Sequence, residues 1–570
     1  MALPRDFEPD VIVVGSGATG AMAAYVLTRA GAKVLMLEAG RNYDPVAETP
    51  MLHWERDAPL GAVSTADKPF GYYDATVDGG WEVPGEPYTS AEGSKFMWWR
   101  GRMLGGRTNH WARHVPRFGP YDFKPKTRDG LGVDWPIGYE DVAPYLDRTE
   151  ALIGVHGSNE GLENHPDSSP GILHAPPRPR VPELLMMAAT AKLNIPCIPS
   201  RRAILTHDMP HPDAPRSACY YASPCGRGCS IGAAFQTTTS LLPMAMATGR
   251  LRIVTDAMVS HVRTNAQGKA TGVEFFDKSN NNAQMFVGAR AIVLAASACE
   301  TARLLLNSHS SQAPEGLANS SGQVGRNLTD TIGASIVAQI PALEGRPRYN
   351  EDGNSQGHMY IPWWLYKEQA AGELNFPRGY HFEIGGGFSA PNGDFGLAGQ
   401  EDGYGDALKE DAHRYYGSVM GLYLRGEMVP NENSFCELDP DVKDKFGLPV
   451  LRFHWQWTDH ELNQIAHGLS TAREILGAMG GRILTPEQTP EEAIKEGGEI
   501  IHEVGTTRMG DDPTTSVVNQ YGQAWDVENL IVVDGGVFAS NAHKNPTLTM
   551  MAIAWRSSDE LASRLRRGEL

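Results

Sequence analysis

Residues Val11–Val14 are an unbroken run of Val and Ile, the pattern of a strand buried on both faces. Met22, Tyr25 and Val26 then recur at helical spacing up to Gly31, and residues 33–37 form a second apolar run that ends in Glu38. This pattern predicts a βαβ unit. Residues 45–95 are rich in Pro, Gly and aromatic side chains with weak periodicity, which predicts an irregular covering segment. Residues 253–274 alternate around Asn265-Ala266-Gln267-Gly268, a hairpin signal. A third run ends at Val287, and residues 291–295 read as another buried strand. Between 349 and 457 many aromatic, strand-like runs alternate with turn residues, which predicts a mostly antiparallel sheet. Helical spacing returns at 459–479, residues 529–533 predict a last buried strand, and Thr547–Arg567 predicts a terminal helix. No internal repeat or low-complexity tract is visible.

The longest apolar stretches, 291–298 and Leu241–Ala247, fall far short of the ~20 residues of a membrane helix. The first residues lack the basic and apolar regions of a signal peptide. The expectation is a soluble chain without a membrane span, cytoplasmic by its own sequence and periplasmic if exported with a signal-bearing partner.

Composition narrows the function classes. The 570 residues allow three to four domains at about 150 residues each. With 41% hydrophobic and 21% charged residues, the chain can bury a large core. A net charge of −18 argues against nucleic-acid phosphates and against anionic lipid surfaces. Six cysteines in this length exclude a disulfide scaffold.

Gly15, Gly17 and Gly20 fit G-x-G-x-x-G between a predicted strand and helix. Glycines there permit a tight turn and let backbone N–H groups approach a pyrophosphate at the positive end of the helix. Glu38, at the end of the second strand, is placed to accept from a ribose hydroxyl. The motif alone does not separate NAD from FAD.

From Leu37-Glu38-Ala39-Gly40-Arg41 onward the chain resembles the glucose–methanol–choline (GMC) oxidoreductases. The resemblance continues through Gly105-Gly106-Arg107-Thr108-Asn109-His110-Trp111 and Asp134-Trp135-Pro136-Ile137. It recurs at Ala295-Ala296-Ser297-Ala298-Cys299-Glu300-Thr301 and Gly325-Arg326-Asn327-Leu328. It ends with His502-Glu503-Val504-Gly505-Thr506-Thr507-Arg508-Met509-Gly510, Val533-Asp534-Gly535-Gly536 and Asn545-Pro546-Thr547-Leu548-Thr549. The resemblance implies FAD, an α/β fold with a Rossmann-like FAD-binding domain, and an interleaved substrate domain on an antiparallel sheet. On this reading residues 1–120, 231–345 and 496–570 build the FAD domain. Residues 121–230 are a mixed segment, and 346–495 bind substrate. The bacterial FAD-dependent sugar dehydrogenases, including glucoside 3-dehydrogenases and FAD glucose dehydrogenases, are the branch it is most similar to.

The family resemblance makes His502 the base and Asn545 its partner, with His543 as a competitor for the second place. Alcohol oxidation needs a group that takes the hydroxyl proton, and a neutral imidazole suits that role. The resemblance also implies cofactor contacts at Gly15, Gly17, Gly20, Glu38, Gly105, Gly106, Asn109, Val259, Asp534 and Gly535. It places His110 beside the flavin, where related pyranose oxidases carry a covalent link; here a non-covalent flavin is expected.

Cys219, Cys225 and Cys229 fall in a C-x5-C-x3-C pattern, while Cys197, Cys299 and Cys436 are isolated. Clustered thiolates bind soft metals. Similar dehydrogenases imply a 3Fe–4S cluster, or a 4Fe–4S cluster with one non-cysteine ligand. Other relatives carry a fourth cysteine where this chain has Ala222. Free thiols, one disulfide, or zinc completed by His207 or His211 stand as alternatives. A cluster would favour a dehydrogenase over an oxidase. It would also suit a cytochrome acceptor and a small companion subunit.

The expected activity is oxidation of a sugar or glycoside hydroxyl, first at C3 of a pyranoside. FAD glucose 1-dehydrogenation and pyranose or C-glycoside 3-oxidation by O2 are the runners-up. A flavin-bound electron-transfer subunit represents a different class. Tyr360, Trp363, Trp364, Tyr366, Tyr380, His381 and Glu383 lie in the substrate region, and none is assigned as a ligand.

Overall fold

The computed structural model describes residues 7–51, 57–68, 76–221, 225–347, 357–388 and 404–570. Its first unit is a five-stranded parallel sheet. The order is Leu530–Val532, Ala291–Leu294, Val11–Val14, Val34–Leu37 and Leu251–Val254. The apolar runs explain the sheet. Val11–Val14, Val34–Leu37 and Ala291–Leu294 are buried at every position, as strands covered on both faces must be. Each large side chain buried there contributes about 1.5–3 kcal/mol. Helix Ala18–Arg29 crosses between the first two strands and packs against the terminal helix Thr547–Arg567. An antiparallel ribbon of Ala257–Thr264, Ala270–Asp277 and Ala283–Gly288 follows the expected hairpin.

The second unit is a six-stranded sheet, antiparallel throughout. Its order is Arg482–Ile483, Ile332–Gln339, Val419–Gly426, Tyr380–Gly386, Met359–Ile361 and Ile198–Pro199. One face, with Phe382, Ile384, Leu422 and Leu424, packs into a core shared with Ile465, Ala472 and Ile475 of helix Asp459–Ala478. That helix starts at Thr458, whose side chain and Glu461 form a capping box.

Two features depart from the pattern read along the chain. The sheet recruits Ile332–Gln339, which lies ahead of residue 346. Phe435–Lys443 and Pro449–His454 pair instead with Thr89–Ser90 in a separate three-stranded sheet. Alternation marks a strand and its faces but carries no information about its partner. Of the covering segment, 52–56 and 69–75 lie outside the described residues, as does Ala222. Among the described residues no helix is long and apolar enough to cross a membrane.

At Gly20 the helix packs tightly on the turn that precedes it: a Cβ there would lie 2.1 Å from the carbonyl oxygen of Gly15. Overpacking of this kind costs about 1–3 kcal/mol. Gly20→Ala is therefore expected to lower the thermal midpoint and the bound flavin per chain. Differential scanning calorimetry and the flavin absorbance of purified protein check both.

Candidate active site

The turn at Gly15-Ser16-Gly17 leads into helix Ala18–Arg29, which has no side-chain cap. Gly15 adopts φ +98°, and a Cβ there would strike the Ala295 carbonyl oxygen at 2.4 Å. At Gly17, by contrast, an added Cβ meets nothing within 4 Å, so the uncapped helix end opens onto free space. Glu38 accepts from the backbone N–H of Ser16 (3.1 Å) and of Gly40 (2.7 Å) and from the Ser16 hydroxyl. The same hydroxyl accepts from Gly105 N at 2.8 Å, tying the two glycine turns together. An ionised carboxylate has about four acceptor sites, so Glu38 closes the loop and still has capacity for a ligand hydroxyl.

This end opens into a cavity of about 950 Å³. Gly15, Gly17, Glu38, Gly106, His110 and Val259 line it. Asp534, Gly535, His502 and Asn545 also line it. Gly20, Gly105 and Asn109 do not. Gly105 bends the chain at φ +88°, and Asn109 is buried behind it, donating to Leu104 O and accepting from Thr238 Oγ1. Asn109 pins the turn rather than facing the cavity. The volume, the exposed helix end and the glycine surface fit an elongated dinucleotide such as FAD.

The other end of the cavity holds the polar chemistry. His502 is fixed by its backbone N–H, which donates to Asp330 Oδ1 at 2.8 Å. Its Nδ1 lies 3.0 Å from Thr331 Oγ1, and its Nε2 lies 3.4 Å from Asn545 Nδ2. Asn545 Nδ2 also donates to Glu383 Oε1 at 3.1 Å. A carboxylate only accepts, so this bond fixes which way the amide faces. The amide nitrogen then points at Nε2, which must be the acceptor nitrogen, leaving the ring proton on Nδ1. Burial pushes the His502 imidazolium pKa down to about 3, and Arg425 adds to the shift while Glu383 opposes it. His502 therefore stands neutral, with Nε2 unprotonated.

His543 is turned elsewhere. It does not line the cavity, and its Nδ1 lies 3.4 Å from Nδ1 of buried His381. Of the two candidates for the second place, Asn545 meets His502. His110 accepts from Trp99 Nε1 at 3.0 Å and faces the cavity. Asp534 is buried against Thr301 Oγ1 and Gly536 N, and burial raises its pKa to about 6.

Three comparisons place the chain. Models described as GMC oxidoreductase match residues 187–332 and 430–554, and one described as an FAD binding domain matches 8–46. The 2-methyl-1,2-propanediol dehydrogenase of Mycolicibacterium austroafricanum is 31% identical over 98% of this chain and 96% of its own length. The chain belongs to the GMC oxidoreductase family. The fructose dehydrogenase large subunit of Gluconobacter japonicus is 28% identical, covering 98% of each chain. The crystal structure of pyridoxine 4-oxidase from Mesorbium loti superposes with a TM-score of 0.62 at 18% identity, over 97% of this chain and 99% of that one, a likeness of fold.

Sequence reasoning about this GMC oxidoreductase left Glu383 unassigned and missed His114, Ser335, Tyr423 and Arg425, which line the same cavity. For Glu383, Tyr423 and Arg425 the signal was present as polar residues at alternate positions of otherwise apolar strands, but only the strand pairing brings them together; His114 lies outside the sheet.

The three clustered cysteines share a small apolar cluster with Ile204, Ala233 and Ala234. Cys219 Sγ accepts from Tyr221 N and Cys229 Sγ from Ala234 N. Buried Arg113 and Arg216 stand close by, holding backbone carbonyls and, among the described residues, no carboxylate. Burial lowers the Arg216 pKa to about 10, and the Cys229 thiol opposes that shift. Burial raises the Cys219 thiol to about 12. Among the described residues no three His, Cys, Asp or Glu side chains form a group that could hold a metal ion. The charge environment suits an anion, but the ligand geometry of a cluster is not met, and no electron step is derived through one.

Among the described residues burial holds ten imidazoles below the usual 6.5. His114 and His174 are lowered to about 4 and His502 to about 3, and His156, His165, His261, His358, His381, His467 and His543 are also lowered. Each binds its proton more weakly folded than unfolded. The stability it contributes is complete above about pH 6.5 and is lost as pH falls toward its folded value. Asp330 and Asp534, raised to about 7 and about 6, and Glu427 and Asp559, also raised by burial, act in the opposite sense but are fewer. The thermal midpoint is therefore expected to fall steadily as pH drops from about 6.5 to 5, checked by thermal melts across that range.

Proposed function

We propose that this chain is an FAD-dependent dehydrogenase that oxidises a secondary hydroxyl of a sugar or polyol, with His502 as the base. The observation that carries this reading is the neutral His502 Nε2, paired with Asn545 Nδ2 at 3.4 Å in the wall of the cavity. A donor hydroxyl seated between the two would give its proton to His502 Nε2, while Asn545 Nδ2 donates to its oxygen. Thr331 Oγ1 holds the far side of the ring, so the new charge forms on an imidazole already oriented. The helix end at Gly15 and Gly17 and the Glu38 carboxylate would hold the pyrophosphate and ribose. Gly106, His110, Val259, Asp534 and Gly535 would line the rest, with His110 not covalently linked. FAD, when bound, supplies the acceptor for the hydride that leaves the same carbon.

The names of the two relatives, a diol dehydrogenase and the large subunit of a fructose dehydrogenase, support a polyhydroxyl donor and a companion subunit. The family resemblance supports C3 of a pyranoside as the position attacked. Product NMR tests it: a 3-keto glycoside from methyl glucoside supports C3, and gluconolactone from glucose rejects it. The 3Fe–4S reading of Cys219, Cys225 and Cys229 rests on the family resemblance alone, since no metal-holding group forms among the described residues. Iron and acid-labile sulfide in anaerobically purified protein decide it, and iron near zero rejects it.

His502→Ala is expected to slow anaerobic flavin bleaching by about 10²- to 10⁴-fold with the flavin still bound. Stopped-flow absorbance across a sugar, glycoside and polyol panel measures this. Substrate-driven bleaching at the wild-type rate would instead revive an electron-transfer subunit.

A further inference from the structure

The substrate-side wall of the cavity is one face of the antiparallel sheet, and its register explains which side chains meet there. Glu383 lies opposite Tyr423, and Tyr423 lies opposite Ser335 on the next strand; His381 lies opposite Arg425. Side chains two apart share a face, so Ser335, Glu383, Tyr423 and Arg425 project together into the cavity. The alternate residues, Phe382, Ile384, Leu422 and Leu424, face the core beneath.

Two details give this face a chemical character. A Cβ added to Gly385 would lie 2.7 Å from the Tyr423 ring, and one added to Gly421 would lie 2.9 Å from it. The two glycines therefore leave the space that the ring occupies. Tyr423 remains 37% exposed, which is high for an aromatic ring in a central strand and makes it available to a ligand. Beside it, Glu383 Oε2 and Arg425 Nη2 lie 3.4 Å apart. The pair compensates its own charge, so it offers a charged ligand little net attraction. It does present a carboxylate acceptor next to a guanidinium donor. Glu383 is also the residue that holds Asn545 against His502.

We propose that Tyr423, Glu383 and Arg425 are the specificity-determining surface of this site. Tyr423 supplies a platform for the C–H face of a sugar ring. Arg425 donates to, and Glu383 accepts from, the hydroxyls that flank the reacting one. The inference rests on the sugar or polyol reading above and adds to it the group that is read: a hydroxyl adjacent to the one oxidised. Because Glu383 also orients Asn545, Arg425 is the cleaner probe of recognition.

The test pairs protein variants with deoxy analogues of the glycoside that bleaches the flavin fastest. In the wild-type holoenzyme, removing a hydroxyl next to the reacting carbon is expected to lower kcat/KM about tenfold or more, as loss of a hydrogen bond to a charged group does. In Arg425→Met the parent glycoside is expected to fall by a similar factor. The flanking-deoxy analogue is expected to lose little further, because the two changes delete one interaction. Arg425→Lys, which keeps the charge without the fork, is expected to recover part of the loss. Tyr423→Ala is expected to raise KM more than it lowers kcat. Equilibrium titration of each variant with the parent glycoside, at matched flavin content, separates lost recognition from misfolding. Independent, multiplying losses from Arg425→Met and the deoxy change would overturn this inference and leave the sugar reading standing. If only monohydric alcohols bleach the wild-type flavin, both readings fall.

Discussion

The hydrogen bonds of Asn545 Nδ2 hold the site together. One runs to Glu383 on the antiparallel sheet at 3.1 Å, and the other reaches His502 Nε2 at 3.4 Å. Without Glu383 the amide could present either its oxygen or its nitrogen to the imidazole. With it, the nitrogen is committed, and so are the tautomer and the basic atom of His502. Burial then keeps that imidazole neutral. The location of the ring proton is thus set by one carboxylate that sequence patterns alone did not single out.

The topology explains why three such distant residues meet. Strand Leu530–Val532 closes the edge of a parallel sheet that begins at Val11, and helix Thr547–Arg567 packs on helix Ala18–Arg29. His502 and Asn545 stand on either side of that strand in sequence. The last segment of the chain therefore completes the parallel sheet and carries both His502 and Asn545 to the cavity wall. The antiparallel sheet, all but its edge strand Ile198–Pro199 inserted between the middle and last strands of the parallel one, presents Glu383 to them.

Much of this was legible. Val11–Val14 and Thr547–Arg567 were readable because burial on both faces and helical spacing leave strong local patterns. G-x-G-x-x-G and Glu38 were readable because their chemistry is local in sequence. His502 and Asn545 came from family resemblance, which carries roles that periodicity cannot. Asn109 shows the limit of such transfer: it sits in the matching motif, yet its side chain is spent on Leu104 and Thr238. Ile332–Gln339 shows another limit, because strand alternation does not encode which sheet a strand joins. Glu383, Tyr423 and Arg425 were hidden for the same reason, since their proximity exists only through register.

The register also sets which side chains of the sheet reach the cavity. His381 and Glu383 are neighbours on one strand, with Tyr423 and Arg425 opposite them. His381 faces His543 within the buried polar layer, while Glu383 faces the cavity. A one-residue slip of either strand would exchange this polar face for Phe382, Ile384, Leu422 and Leu424. Those four side chains are buried in the core against helix Asp459–Ala478, so the slip would expose apolar surface and strand charges in the interior at once. The hydrophobic packing behind the sheet is thus what holds Glu383 in register with Asn545. The pairing of Asn545 with His502 depends, through that carboxylate, on a core that does not reach the cavity's polar face.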